Sequence, residues 1–253
     1  MDRLQRKNIG EIEGLNQRGG RTLSFVDLVR AGTMTVEMVA HCWTAIARGA
    51  SFITAAGPGG AGKSTVLADL LSLLPPTREI VTITDPRVID EEAVPCCLAH
   101  EIGEGHWYGY IWGKDVRSFF ALMGHGTQTA SCIHADNLQQ LRDILLAPPL
   151  SVAEEHLNKL DLVLFIEVNR RRERRVTALY EGSANGAGHR LAFEWDPETD
   201  TIVRHGDSEL FGRLGTDESE YHAKLAAVNR IVHDGDEAFE FVRAKVLDVY
   251  RSS

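Results

Sequence analysis

Residues 51–65 read Ser51-Phe52-Ile53-Thr54-Ala55-Ala56-Gly57-Pro58-Gly59-Gly60-Ala61-Gly62-Lys63-Ser64-Thr65. The first six form a short apolar run that stops at a glycine cluster, the signature of a buried strand. From Gly57 the chain fits G-x-x-x-x-G-K-[ST], and a helix opens at about Gly62. A strand before the loop and a helix after it are what phosphate binding requires. Gly57, Gly59, Gly60 and Gly62 leave room for backbone N–H groups to turn inward around phosphate oxygens, because no Cβ is in the way. Ala61 and Thr65 complete that loop. The helix N-terminus adds unpaired donors and a partial positive charge. Lys63 can reach the β- and γ-phosphates of a nucleotide, and the Ser64 hydroxyl can ligate Mg²⁺. The expected ligands are therefore ATP and Mg²⁺; the bland alternative is a glycine-rich turn that binds nothing.

Such a site also needs acids around the metal and the attacking water. Glu79-Ile80-Val81-Thr82-Ile83-Thr84 is a β-branched run, read as a second strand, and Asp85 ends it. An acid at the carboxyl end of a parallel strand faces the crevice where ligands bind, so Asp85 is a candidate for catalysis and, with Ser64, for the metal. An Asp opening a turn before Pro86 is the competing reading. Glu101 and Glu104 are further candidates, in a stretch (86–113) that reads as irregular. His125 and His134 bracket one predicted strand, Thr127 to Ile133, and His134 stands at its carboxyl end. Either histidine can contact a terminal phosphate, or be an ordinary strand-end residue. Glu167 ends another apolar strand and reads as structural.

Working outward, residues 1–20 are polar and glycine-bearing and read as a loose arm. Residues 23–48 look helical, with Thr35 as an N-cap for Val36 to Arg48. Helices are expected from about Gly62 to Leu74, over Lys114 to Met123, Leu138 to Leu146 and Val152 to Leu160, and the run Leu162 to Val168 is the clearest buried strand. Short strands at Val176–Glu181, Arg190–Trp195 and Thr201–Arg204, separated by turns such as Asn185-Gly186, suggest an antiparallel meander. The tail, Glu218 to Arg251, reads as two helices broken near Asp234-Gly235-Asp236. Together these give an α/β core with an antiparallel β extension and C-terminal helices. The expected division is an arm and helical lead-in (1–50), a core (51–210) and a helical appendage (211–253).

The composition of this 253-residue chain is that of a soluble protein, 43% hydrophobic and 25% charged. The net charge of −9 disfavours a general nucleic-acid binder. Cys42, Cys96, Cys97 and Cys132 form no C-x-x-C pair, and Cys96 and Cys97 read as half-buried reduced thiols. No signal peptide or apolar run of about 18 residues is visible, so a cytoplasmic protein is expected.

Several segments in order resemble the secretion-superfamily ATPases, the hexameric RecA-like motors of type II and type IV secretion and of type IV and tight-adherence pili. Leu23-Ser24-Phe25-Val26-Asp27-Leu28-Val29-Arg30-Ala31-Gly32-Thr33-Met34-Thr35 is similar to the segment before their P-loop, and residues 52–74 to their Walker A strand and helix. Residues 74–86 resemble the stretch into their Asp box, and Gly124-His125-Gly126 through Ile133-His134-Ala135-Asp136 their His box. Leu160 to Ile166, the arginine turn and Arg175-Val176 resemble their closing strand pair. The resemblance covers about residues 22–205. It implies a RecA-like P-loop NTPase core, roles for Asp85, His125 and His134, and an ATP-driven ring, a hexamer, working against a membrane-embedded secretion or pilus platform protein at the inner face of a membrane. Four departures stand out. Thr84 replaces the first acid of the Asp box. Around Gly109-Tyr110-Ile111-Trp112-Gly113 no acid stands where the family's Walker B glutamate belongs. The chain from Asp85 to His125 is short, and the family's large N-terminal domain has no counterpart.

Asn169-Arg170-Arg171-Arg172-Glu173-Arg174-Arg175 is the strongest basic cluster. It reads as a solvated hairpin turn, with an arginine offered to a neighbouring subunit's phosphate, or a contact with acidic lipid or nucleic acid, as alternatives. The aromatics at 107–112 pack a loop or form a partner surface. Three functions compete: an ATPase coupling hydrolysis to subunit motion, a catalytically weak nucleotide-dependent regulatory module, and a small-molecule P-loop kinase.

Overall fold

The structure, a computed structural model, describes residues 2–16, 19–57, 59–83 and 95–252. Three helices come first: α1 (Arg3–Gly14), α2 (Phe25–Arg30) and α3 (Val36–Ala47). Strand β1 (Phe52–Ala55) leads through the glycine loop into α4 (Lys63–Leu71), followed by β2 (Ile80–Thr82), β3 (Cys96–Leu98) and the short β4 (Glu101–Ile102) and β5 (Tyr110–Ile111). Helix α5 (Lys114–Gly124), strand β6 (Gln128–Ile133), helices α6 (Leu138–Leu146) and α7 (Glu154–Leu157) and strand β7 (Leu162–Val168) complete the alternating part. Then come β8 (Arg174–Gly182), β9 (His189–Asp196), β10 (Thr201–Arg204) and helices α8 (Glu209–Arg213), α9 (Glu218–Asp234) and α10 (Phe239–Ser252).

The strands make one mixed sheet in the order β10-β9-β8-β7-β1-β6-β3-β2, with β4 and β5 branching from β6. From β7 to β2 all neighbours are parallel; from β7 to β10 they are antiparallel. Alternation along the strands explains the layering. Phe52, Leu162, Leu164 and Leu98 point to the face covered by α2, α3, α4, α9 and α10, whereas Ile53, Val163, Phe165 and Cys97 point to the face covered by α5, α6 and α7. The parallel strands are thus buried on both sides, which is why they read as continuous apolar runs rather than alternating ones.

Two stretches differ from their sequence reading. Residues 3–14 form a helix, not a loose arm. Asp2 caps it by accepting from the Gln5 backbone N–H at 2.8 Å, and its inner face carries Gln5, Asn8, Ile9 and Ile12. Two of those four are amides, which hid the apolar periodicity. Their polarity is satisfied by backbone: Gln5 donates to the Pro76 carbonyl at 2.8 Å, and Asn8 donates to the Arg78 carbonyl and accepts from the Ile80 N–H, both at 2.9 Å. The second stretch is 86–113. Its described part holds β3, an interior strand between β6 and β2, so Cys96 and Cys97 are fully buried rather than half-buried. Among the described residues no helix is long and apolar enough to cross a membrane.

Candidate functional site

Parallel strands bring their carboxyl ends to one edge of the sheet, and the residues just past those ends converge there. After β1 comes Gly57, after β6 His134, after β3 the sequence Ala99-His100-Glu101, and after β7 the arginine turn. Lys63 opens α4, and its side chain is buried where the helix N-terminus presents its free N–H groups. Gly62 caps that helix at φ 106°, a left-handed conformation that favours glycine. At Gly57 a Cβ would fall 1.8 Å from the Asp136 carboxylate oxygen, so any side chain there would require the Asp136 carboxylate to move.

His134 is the hub. Its Nδ1 lies 2.7 Å from the Gly57 carbonyl, its Nε2 lies 3.1 Å from Glu101 Oε1, and the Lys63 ammonium is 3.2 Å from Nε2. A carbonyl only accepts, so Nδ1 carries a proton. Nε2 then either accepts from Lys63 in the neutral ring or donates to Glu101 in the imidazolium; it cannot do both. The second carboxylate oxygen of Glu101 accepts from the Tyr110 hydroxyl at 3.2 Å and sits 3.9 Å from the Cys132 sulfur. Burial, reinforced by the Glu101 charge, pushes the Tyr110 phenol up to about 12, so it remains a donor at neutral pH. Burial also raises the Cys132 thiol to about 12, against which the Ser64 hydroxyl and the Glu101 carboxylate both rest. Cys132 is therefore a neutral thiol that separates the Ser64 hydroxyl from the Glu101 carboxylate. Burial lowers the His100 pKa, which keeps that ring neutral. Its Nε2 is 3.4 Å from Thr82 Oγ1, and that hydroxyl donates to Glu11 of α1.

These groups line one cavity of about 690 Å³. The loop from Gly59 to Thr65 forms its floor; His100, Glu101, Tyr110 and His134 form one wall; α1, α2 and the arginine turn form the others. The volume lies within the range typical of small-molecule sites.

The structure thus brings Glu101 and His134 to Lys63 and Ser64, and leaves two other candidates elsewhere. His125 ends α5 at the amino end of β6, a six-residue strand away from His134, or about 20 Å. Glu104 lies exposed on the turn between β4 and β5. Asp85, like Pro58 of the loop, falls outside the described residues. The arginine turn is not merely solvated: Arg172 and Arg174 line the cavity, whereas Arg175 is buried and pairs with Asp200 at 2.9 Å. Of the aromatics, Trp107 and Tyr108 are exposed and Tyr110 turns into the site. The place of Glu101 was missed because the acid was sought near 109–113, whereas the interior strand that delivers it is the three-residue Cys96-Cys97-Leu98. The signal available was that run of small apolar residues followed, three positions on, by an acid.

No family model and no curated protein matches this chain. Among solved structures it is similar to the VirB11 ATPase from the Brucella suis type IV secretion system in complex with sulphate, at 17% identity and a TM-score of 0.45. The overlap covers 64% of this chain and 55% of that one, so this chain spans little more than half of its length.

Proposed function

We propose that this chain is a P-loop ATPase with a RecA-like core, resembling the motors of type II and type IV secretion and of pilus assembly. The observation that supports it best is the continuous contact from Lys63 through His134 to Glu101, with Ser64 alongside, at the cavity floor. A buried lysine at a helix N-terminus suits an anionic ligand, and here it leans on a neutral-capable imidazole rather than a carboxylate. The amides of Gly59, Gly60, Ala61, Gly62 and Thr65 would hold the phosphates, with Lys63 at the β- and γ-positions. The metal donor set is the one Mg²⁺ accepts: a hydroxyl (Ser64), a carboxylate (Asp85, on its place in the sequence, as first candidate, Glu101 as second) and substrate oxygens. Bound there, Mg²⁺ would neutralise charge developing on the phosphoryl oxygens.

Glu101 is the base in this reading. It orients the attacking water and takes its proton, with Tyr110 fixing the carboxylate plane and His134 its other oxygen. Lys63 turning to a phosphate gives up its contact with His134. Nε2, released from Lys63, can take up a proton from cavity water and the imidazolium then donates to Glu101, so occupancy of the loop is transmitted to β6 and β4. That coupling is how nucleotide state would move one subunit against the next in a ring of identical chains. The glutamate sought and missed near 109–113 was what favoured a weak regulatory module, and Glu101 fills that place here.

The test is steady-state phosphate release measured with solution mass, with and without MgATP. Turnover that vanishes in Lys63→Ala, together with a nucleotide-dependent oligomer, is expected. Folded protein that gives neither heat of binding with MgATP nor phosphate above background overturns the reading, and full turnover by a strict monomer removes its motor half.

A further inference from the structure

The arginine turn reaches the cavity for a topological reason. Strand β7 runs parallel to β1, so the turn that leaves its carboxyl end emerges at the same edge as the glycine loop. The turn is internally braced. Asn169 Oδ1 accepts from the N–H groups of Arg171 and Glu173, both at 2.9 Å, and the Asn169 N–H donates to the Glu173 carbonyl at 2.9 Å. Arg172 is held at φ 65°, a left-handed position where glycine is the easy choice. An arginine kept there in spite of that strain, and lining the cavity, points to a use for its charge.

Its neighbours divide the work by strand alternation. Arg175 turns inward, where Asp200 accepts from its Nε and Nη2, both at 2.9 Å, and Glu173 also accepts from Nη2 at 3.2 Å. Glu173 Oε2 also accepts from Asn169 at 2.8 Å, so that oxygen is shared between Arg175 and Asn169. Arg174 turns the other way. It donates to the Gly60 carbonyl at 3.2 Å, and its aliphatic stem lies so close to Gly62 that a Cβ there would be 3.1 Å from its Cδ. Among the described residues no carboxylate pairs with Arg174. A guanidinium with five N–H donors thus rests with one of them on a neutral carbonyl, at the lip of a loop built for anions.

We propose that the β7–β8 turn is a phosphate clamp supplied in cis, with Arg174 as its direct ligand and Arg172 as a second cation over the cavity. Arg174 swings from the Gly60 carbonyl to the phosphate oxygens of the nucleotide that the loop holds. It supplies, from the same chain, the second cation that a polyphosphate needs beside Lys63. The inference rests on the nucleotide reading above. It assigns the turn to the chain's own ligand rather than to a neighbouring subunit, a lipid or nucleic acid.

The experiment is calorimetric titration of the full chain and of Arg174→Gln with MgATP, MgADP, MgGTP and inorganic tripolyphosphate, with melting temperatures in parallel. Glutamine keeps the stem that packs on Gly62 and an N–H donor while removing the charge, so a residue that only buttresses the loop would be replaced with little loss. The clamp predicts affinities for MgATP and MgADP at least tenfold weaker in Arg174→Gln, with an unchanged melting temperature and a flatter dependence of binding on salt. Binding within twofold of wild type overturns the clamp and leaves the nucleotide reading standing. Wild-type protein that binds none of the four probes overturns both.

Discussion

Two places in this molecule set a glutamate 3.1 Å from a histidine. In one, His134 Nε2 faces Glu101 Oε1, with 46% and 15% of the two side chains exposed; in the other, His41 Nε2 faces Glu181 Oε2, with 1% and 0% exposed. In the sealed pair the glutamate is saturated. Glu181 also accepts from Arg190 at 2.7 Å, from the Ser208 hydroxyl at 2.5 Å and from the Glu209 N–H at 2.9 Å, while His41 packs between the rings of Phe193 and Phe211. Burial alone would raise the Glu181 carboxyl, but His41, Ser208 and Arg190 outweigh it and hold it at about 2. The open pair has a mobile cation, Lys63, on one side and a cavity on the other. Identical contacts serve different ends: where the carboxylate is filled and water is shut out, the pair ties β8 to α3 and α8; where solvent and a cation can enter, the pair stands open to a ligand.

The largest expected effect separates the two on activity. Glu101→Gln keeps the shape and the Tyr110 contact but removes the base, so ATP turnover should fall about 10²–10⁴-fold, as for other positioned general bases. The melting temperature and the affinity for MgATP should stay near wild type. Loss of stability with little loss of turnover would show that the open pair is another tie. Glu181→Ala should do the reverse. Removing one partner of a buried pair costs about 3–5 kcal/mol because the charge left behind is uncompensated. Chemical denaturation should show that loss, while turnover per folded molecule stays unchanged.

The comparison also shows which residues a linear reading can find. The glycine loop was legible because its chemistry is local: Gly57, Gly62, Lys63 and Ser64 lie within eight positions, between an apolar run and a helix. The seven-residue β7 and the Asn185-Gly186 turn were legible for the same reason. Glu101 was named but not placed. Its partners come from β6 and from Tyr110, and the strand that delivers it is three residues long, too short for periodicity to register. Glu181 was read only as a strand residue. Nothing in its neighbourhood signals that His41, 140 positions earlier, closes over it. Helix α1 was hidden because amides rather than aliphatics occupy half its inner face. Pairwise geometry across the sheet, not residue type, decides these cases.

A pH series sharpens the contrast. Glu181 titrates at about 2 in the folded chain against an ordinary 4.5, so its contribution is present above pH 4.5 and is lost as pH falls toward 2. At about 1.4 kcal/mol per unit, that is on the order of 3 kcal/mol. His189, lowered to about 4 chiefly by burial, acts in the same direction between pH 6.5 and 4. Asp161, raised to about 6 chiefly by burial, acts oppositely: its stabilisation is full below 3.8 and is lost as pH rises to 6. The last two offset each other near pH 5, which leaves the limb below pH 4 to Glu181, the buried one among the described carboxylates held low. Exposed carboxylates such as Asp200, lowered to about 2 by its hydrogen bond from Arg175, add to it. Urea midpoints between pH 2 and 8 should fall steeply below pH 4 in wild type, and that limb should flatten in Glu181→Gln. A limb of unchanged steepness would mean that the sealed pair is not what acid breaks.

The smallest effect concerns the open pair's own contribution to stability. His134 is almost half exposed, its contact with Glu101 is bathed by the cavity, and Lys63 competes for the same nitrogen. Solvent screening leaves such exposed pairs worth about 0–1 kcal/mol. An asparagine at 134 puts its amide where Nδ1 lies and can still donate to the Gly57 carbonyl, so the anchor to the loop survives. His134→Asn should therefore shift stability by no more than about 0.5 kcal/mol, or roughly 1–2 °C in melting temperature for a domain of this size. The equivalent change in the sealed pair, His41→Asn, puts an unmatched amide between two aromatic rings and should cost several times more. Equal losses in the two variants, measured side by side by thermal melting, would erase the distinction between a tie and a working pair.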